Sequence, residues 1–302
     1  WSLVCGLLAK AGNVGKLASA EPIFATVFVQ VLVQIEPRWQ DALALLWWEG
    51  GDTTLEAVAL QHAETVIAYG GDDTLHALKL RMPAGVRWLP HGHKLSFGLI
   101  AASTLSARHA PELVLAAAQD VARYDQGGCY SPHVFYVQRG GHVSPREWAE
   151  RLAQALNHQH ARHPRREPDP SEALALGAWR QQHEWADQQL LLTGEGGDVA
   201  YSDALLPLTP GPGLRCVQVV AFDRWEEVMQ LLPAARRWLQ TAGLAATPEA
   251  WPELALQLGR AGVTRVCAIG SMTAPEAGWH HDGGHSLRDF LRWVEVDQSL
   301  GL

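Results

Sequence analysis

Tyr124-Asp125-Gln126-Gly127-Gly128-Cys129-Tyr130-Ser131-Pro132 joins a helix-like run to a strand-like one. Upstream, Pro111 to Tyr124 sets Leu113, Leu115, Ala118 and Val121 on related faces of an amphipathic helix. Downstream, His133 to Val137 is a short apolar run of strand length. Paired glycines permit a tight turn and the close approach of a ligand. A thiol on such a turn stands near backbone N–H groups, which lower its pKa and make it nucleophilic. A lone cysteine is ordinarily a small buried hydrophobe. The Gly-Gly before Cys129 and the Ser-Pro after it set this one apart.

Strand, turn and helix alternate on either side. Trp1 to Ala11 reads as a helix, followed by the Gly12-Asn13 turn and a short strand carrying Lys16. Pro22 to Val33 has the length of a buried helix, and Leu43 to Trp48 reads as a buried strand. Thr53 to Ala63 is a helix capped by Asp52 or Thr53. Glu64 to Tyr69 is a strand, and Gly70-Gly71-Asp72-Asp73 turns directly into a helix from Thr74 to Met82. Arg87 to Ile100 reads as a strand pair around His91-Gly92-His93.

Past the cysteine, Ser144 to His158 is a helix with Pro145 at its first position, and Gln159 to Pro170 is a polar loop. Ser171 to Leu192 reads as one long helix, and Gly194 to Pro212 as loop with a short strand. Arg215 to Phe222 and Thr264 to Ile269 are strands, separated by helices around 224–231 and 249–261. A last helix runs from Ser286 to Val296. This alternation predicts parallel sheets covered by helices, with ligands at the C-terminal ends of the strands.

The 302 residues suffice for two ordinary domains with substantial cores. With 47% apolar and 19% charged residues the composition is that of a globular protein, and a net charge of −8 argues against nucleic acid as a partner. Cys5, Cys129, Cys216 and Cys267 are too far apart for a zinc motif or a disulfide framework, which fits a reducing cytoplasm. Ile23 to Ile35 is too short to span a membrane and contains Gln30 and Gln34. Adjacent His280 and His281 point different ways on a turn, so no metal centre is expected there.

Three segments carry a family resemblance. Asp125-Gln126-Gly127-Gly128-Cys129-Tyr130-Ser131-Pro132-His133-Val134-Phe135-Tyr136-Val137 resembles the nucleophile segment of the long-chain acyl-CoA (acyl-protein thioester) reductases. These are the fatty-acid reductases of bacterial bioluminescence, within the aldehyde dehydrogenase superfamily. Trp279-His280-His281-Asp282-Gly283, with Leu287, Leu291 and Arg292-Trp293-Val294, is a second match. Gly12-Asn13-Val14-Gly15-Lys16-Leu17-Ala18-Ser19, then Glu21-Pro22-Ile23-Phe24-Ala25, is a third and weaker one.

The resemblance implies an aldehyde-dehydrogenase-like α/β fold, truncated at its N-terminus. A Rossmann-like cofactor domain is expected over 1–104, a catalytic domain over 105–270, and a returning segment over 271–302. The implied activity is NADPH-dependent reduction of a fatty acyl thioester to an aldehyde through an acyl-Cys129 intermediate. Implied partners are acyl-transferase or synthetase subunits and further copies of the chain, in the cytoplasm. Rival readings are another acylating aldehyde dehydrogenase, an acyl-phosphate reductase, or a non-catalytic acyl-binding subunit.

Residue by residue, Cys129 is the expected nucleophile, and its backbone N–H an oxyanion donor. Lys16 resembles the lysine that holds the adenosine ribose. Ser19 stands where hydrolytic NAD enzymes often carry a ribose-binding glutamate, and a neutral hydroxyl tolerates the 2′-phosphate of NADPH. Gly70 and Gly71 resemble the turn near the cofactor phosphates. No Asp or Glu occurs between Asp73 and Glu112, where hydrolytic relatives keep the glutamate that activates water. His91 and His93 lie in that stretch as candidates for proton transfer. The Trp279–Gly283 turn is expected to close over the site, with Asp282 fixing a histidine.

Overall fold

The computed structural model describes residues 1–19 and 21–297. It divides into two compact units: Trp1–Gly92 together with the C-terminal segment from Gly284, and His93–Gly283.

The first unit contains α1 (Ser2–Leu8), β1 (Asn13–Lys16), α2 (Ile23–Ile35), β2 (Leu43–Leu46), α3 (Thr53–Gln61), β3 (Thr65–Tyr69), α4 (Asp72–Arg81) and β4 (Arg87–His91). β1 pairs in parallel with β2, Lys16 opposite Leu46. β3 pairs in parallel with β4, Tyr69 opposite His91. Asp52 caps α3, its side chain accepting from the Thr54 and Leu55 N–H groups at 3.1 and 3.0 Å.

Two expectations fail in this unit. α2 forms, but none of its residues is buried, and Ile23, Phe24 and Ile35 are largely exposed. Its apolar content predicted helix correctly, but within its unit its main packing is on β2 and the turn over Pro37–Asp41. Ser286 to Val296 is not a helix; a single 3₁₀ turn, Arg288–Phe290, interrupts irregular chain. There Arg87 Nη1 donates to the carbonyls of Asp289 and Leu291, the latter at 3.1 Å, and so takes groups that a helix would use internally.

The second unit is built on one sheet: β5 (Leu95–Ile100), β6 (Pro132–Gln138), β7 (Gln189–Leu192), β8 (Asp198–Ser202), β9 (Cys216–Phe222), β10 (Leu239–Ala245) and β11 (Arg265–Ala268). The order is β11-β10-β5-β6-β9-β8-β7, parallel except for the edge pair β7–β8. α5 (Ala110–Ala122) and α6 (Pro145–Arg162) cover one face. α8 (Trp225–Leu231) and α9 (Trp251–Ala261) cover the other, and α7 (Pro170–Glu184) lies along the β7 edge.

Alternation along β6 decides which face each side chain serves. Phe135 and Val137 pack with Val114, Ala118 and Val121 of α5 and with Trp148 and Leu152 of α6. Val134 and Tyr136 pack with Val228, Leu254 and Leu258 on the opposite side. A parallel strand buried on both faces must be apolar at successive positions, and Val134–Val137 is.

The sheet also corrects the sequence reading. β4 and β5 are both strands but do not pair with each other: β4 pairs with β3, whereas β5 sits between β10 and β6. The two compact units divide in the chain at Gly92/His93 and at Gly283/Gly284. Ser171 to Leu192 is not one helix. α7 ends at Glu184, Gln188 takes a left-handed φ of 59°, and Leu190–Leu192 pairs with β8. A short leucine run satisfies either structure, so periodicity alone did not decide it. β10 lay in a stretch read as connection, because Gln240, Thr241 and Gly243 break its apolar run.

Candidate active site

Cys129 sits at the N-terminal end of the sheet, in the turn that delivers the chain from α5 into β6. The turn is strained. Tyr124, Asp125 and Gln126 take φ values of 58°, 49° and 61°, left-handed backbone that residues with a Cβ rarely adopt.

Three sets of bonds hold it. Arg215 Nε donates to Asp125 Oδ1 at 2.5 Å, and Arg215 is almost fully buried. The Leu214 N–H donates to the Asp125 carbonyl at 3.0 Å. Gln126, buried, donates through Nε2 to the carbonyls of Pro132 (2.8 Å) and Cys216 (3.0 Å). Gly128 follows, and a Cβ there would lie 2.5 Å from the Tyr130 ring. The Cys129 carbonyl accepts from Ser96 Oγ of β5 at 2.7 Å, and Ser96 Oγ accepts from the Thr241 N–H of β10 at 3.1 Å. The nucleophile's backbone is thus fixed by two neighbouring strands.

The thiol itself is half-buried. Gln240 Nε2, from the second residue of β10, lies 3.3 Å from Cys129 Sγ. The same nitrogen donates to Asp282 Oδ1 at 2.7 Å, and His281 Nε2 stands 3.9 Å from Asp282 Oδ2. Burial pushes the Cys129 pKa up. The Gln240 N–H opposes this, Asp282 adds to it, and the Cys129 N–H and Lys94 oppose it weakly. Lys94 Nζ is anchored on the Arg237 carbonyl at 3.1 Å.

The Trp279–Gly283 turn therefore does reach the nucleophile, through a glutamine. Toward the expected histidine, Asp282 Oδ2 stands 3.9 Å from His281 Nε2. Gln240 was missed in the sequence because β10 was missed. His93 opens the second unit as an exposed residue. Nearby, His133 Nδ1 accepts from the Gly211 N–H at 3.0 Å, and burial lowers its pKa to about 4.

The expected cofactor residues lie in the first unit. Lys16 ends β1, exposed, with its Nζ 5.6 Å from the centroid of the buried Trp48 ring. Ser19 is exposed in the loop that follows. Gly70 follows β3, and Gly71 is the N-cap of α4, which leaves that helix without a side-chain cap from its N-cap residue. Asp72 and Asp73 in the first turn weaken the helix's attraction for phosphate. His91 ends β4 and stacks on Tyr69, ring centroids 4.7 Å apart. Lys16 and Ser19 follow β1 of one two-stranded sheet and Gly70–Gly71 follow β3 of the other; a cation, a hydroxyl and N–H groups are donors of the kind a dinucleotide takes.

The family model for acyl-CoA reductase (LuxC) matches residues 1–293. The chain belongs to that family. It is 26% identical over 308 residues to the long-chain acyl-protein thioester reductase of Photorhabdus luminescens, and 22% identical over 309 residues to that of Vibrio harveyi. Each alignment covers 98% of this chain and 60% and 61% of the respective relative, so the chain spans about three fifths of their length. Among solved structures, a Bradyrhizobium japonicum proline utilization A variant superposes with a TM-score of 0.71 at 18% identity, covering 95% of this chain and 32% of that one. The Mycobacterium tuberculosis Δ-pyrroline-5-carboxylate dehydrogenase bound with NAD gives 0.66 at 15%, covering 92% and 57%. These likenesses establish the aldehyde-dehydrogenase-like α/β fold. Among the described residues, no helix is long and apolar enough to cross a membrane.

Proposed function

We propose that this family member reduces long-chain fatty acyl thioesters to aldehydes through an acyl-Cys129 intermediate, with NADPH as reductant. The observation that carries the reading is the half-buried Cys129 Sγ, just past the strained Tyr124–Gln126 backbone, with an amide N–H of Gln240 at 3.3 Å. The names of the relatives, long-chain acyl-protein thioester reductases, supply the substrate class.

Cys129 as thiolate attacks the thioester carbonyl. A carbon–sulfur bond forms, and the substrate's own thiolate leaves and takes a proton. The backbone N–H of Cys129 faces the oxyanion formed in this step. Bound NADPH supplies a hydride, two electrons and one hydrogen, for reduction of the thioester carbonyl. Loss of the Cys129–carbon bond then regenerates the thiolate and frees the aldehyde. Lys16 and Ser19 would hold the adenosine ribose and its 2′-phosphate, and the N–H groups after Gly70–Gly71 would serve the pyrophosphate. His91 and His93 are the candidates for carrying protons to solvent. Acyl-transferase or synthetase subunits supply the acyl group, and the chain assembles with further copies in the cytoplasm.

The test is mass spectrometry of the protein incubated with palmitoyl-CoA and no nucleotide. The expected result is an acyl adduct on Cys129, absent in C129A, which is discharged as aldehyde when NADPH is added. Release of free fatty acid with NADPH unconsumed would overturn the reading in favour of hydrolysis.

A further inference from the structure

We propose that Gln240 is a catalytic residue that stabilises the Cys129 thiolate, and that Asp282 is a positioning residue that aims the Gln240 amide at the sulfur. The inference deepens the acyl-cysteine reading and, for the chemistry step alone, rests on it.

The geometry supports one orientation of the amide. Gln240 is fully buried on β10, and its Nε2 lies 3.3 Å from Cys129 Sγ and 2.7 Å from Asp282 Oδ1. An amide nitrogen carries two hydrogens, so it can serve both acceptors at once. A carboxylate accepts only, so it must face the nitrogen and not the carbonyl end of the amide. Were the amide turned over, Oε1 would face Asp282, and two acceptors would meet without a proton between them. Asp282 therefore presents an N–H, and not a carbonyl, to the sulfur. Oε1 of Gln240 is itself buried and unpaired, so this orientation leaves one acceptor unsatisfied and needs a compensating contact of that strength.

The two residues act on the thiol with opposite sign. The N–H favours the thiolate as a hydrogen-bond donor, whereas the Asp282 charge opposes it. The sulfur also feels its own backbone N–H and Lys94, both favouring the thiolate, and the Tyr130 phenol, whose ionisation the Cys129 charge opposes; His281 Nε2 stands 3.9 Å from Asp282 Oδ2. Burial raises the thiol pKa. The Gln240 N–H is in place to hold the charge when the proton leaves, and again when the hemithioacetal collapses and the thiolate returns.

The experiment is the pH profile of Cys129 alkylation by iodoacetamide, read peptide by peptide in the full chain. Cys267 is the internal reference. It lies on β11, opposite Gly243 of β10, so a disturbed β10 would change its reactivity as well. Gln240→Leu removes the N–H and is expected to move the Cys129 profile to higher pH, slowing alkylation at pH 8 by about three- to tenfold. Asp282→Asn removes the charge but keeps an acceptor for the amide, and is expected to move the profile to lower pH. Opposite shifts with an unmoved Cys267 profile support the pair, because a merely structural role would not change sign between the two variants. Shifts in the same direction, or no shift in either, overturn it. Palmitoyl-CoA adduct formation is measured on the same samples. Opposite shifts without any adduct uphold the pair and reject the acyl-enzyme reading; an adduct without opposite shifts does the reverse.

Discussion

Removing the Arg215 guanidinium should disable the nucleophile before it unfolds the protein. In Arg215→Met, the Asp125 carboxylate loses the guanidinium and keeps the backbone N–H of Arg166 at 3.3 Å. Breaking a buried ion pair by removing one member costs about 3–5 kcal/mol. Arg215 is 2% and Asp125 14% exposed, so little of that is screened by water. Opposing it is the strain of three consecutive left-handed residues, about 1 kcal/mol or more each. The two quantities are of similar size, so loss of the clasp lets Tyr124–Gln126 relax while the sheet stays folded. Cys129 would then swing off the Gln240 amide. The assay is the ratio of Cys129 to Cys267 alkylation rates in the folded protein, with palmitoyl-CoA adduct formation beside it. The ratio and the acylation rate are expected to fall by about tenfold or more. Asp125→Asn combined with Arg215→Met should cost less stability than Arg215→Met alone, because no carboxylate is orphaned. An unchanged ratio together with a lowered unfolding midpoint would refute the reasoning and reduce the pair to a stability element.

Three further outcomes are expected. His133 titrates at about 4 in the folded chain against 6.5 for the free side chain, so the unfolded chain binds its proton first as pH falls. The stability it contributes is full above pH 6.5 and lost between there and 4; with its partial exposure this amounts to about 2–3 kcal/mol, and His133→Asn should flatten that part of the urea midpoint against pH. Gly128→Ala should slow Cys129 alkylation and lower the urea midpoint by the equivalent of about 1–3 kcal/mol, because its Cβ would meet the Tyr130 ring at 2.5 Å. Ser19→Glu should turn nucleotide preference from NADPH towards NADH by about tenfold in the ratio of kcat/KM values, since a carboxylate repels the 2′-phosphate and accepts from a ribose hydroxyl; an unaltered ratio would remove Ser19 from the cofactor site.

The site was legible in the sequence where local chemistry made it unusual. Gly127-Gly128 before Cys129 signalled a tight turn at a thiol, and the Trp279–Gly283 run was marked as a turn expected to close over the site. What could not be read was the residue between them. Gln240 comes 111 positions after Cys129 and 42 before Asp282, on a strand whose polar residues hid its pattern. Polar residues at the start of β10 are there because the strand's N-terminal end lines the site, while Ala242 and Leu244 behind them face the core. A strand that serves a core and a site at once loses the simple hydrophobic run by which strands are recognised. The Asp125–Arg215 clasp was hidden for a related reason: two left-handed turns 90 residues apart explain each other only when they meet.

The same arrangement bears on why an acyl group on Cys129 would await a reductant. Hydrolysis requires a base that is free to take a proton from water beside the thioester. The carboxylate coupled to Cys129 is Asp282, and its Oδ1 is engaged by the Gln240 N–H at 2.7 Å. Once the sulfur is acylated it no longer carries charge, and the contact between Gln240 and the sulfur weakens while that to Asp282 remains. The carboxylate is then held more firmly by the amide, and is a poorer base for water, in the very state where hydrolysis would compete. Asp282→Asn should therefore leave the lifetime of the isolated acyl-enzyme unchanged. A markedly longer lifetime in that variant would make Asp282 the water-activating base and reverse the argument.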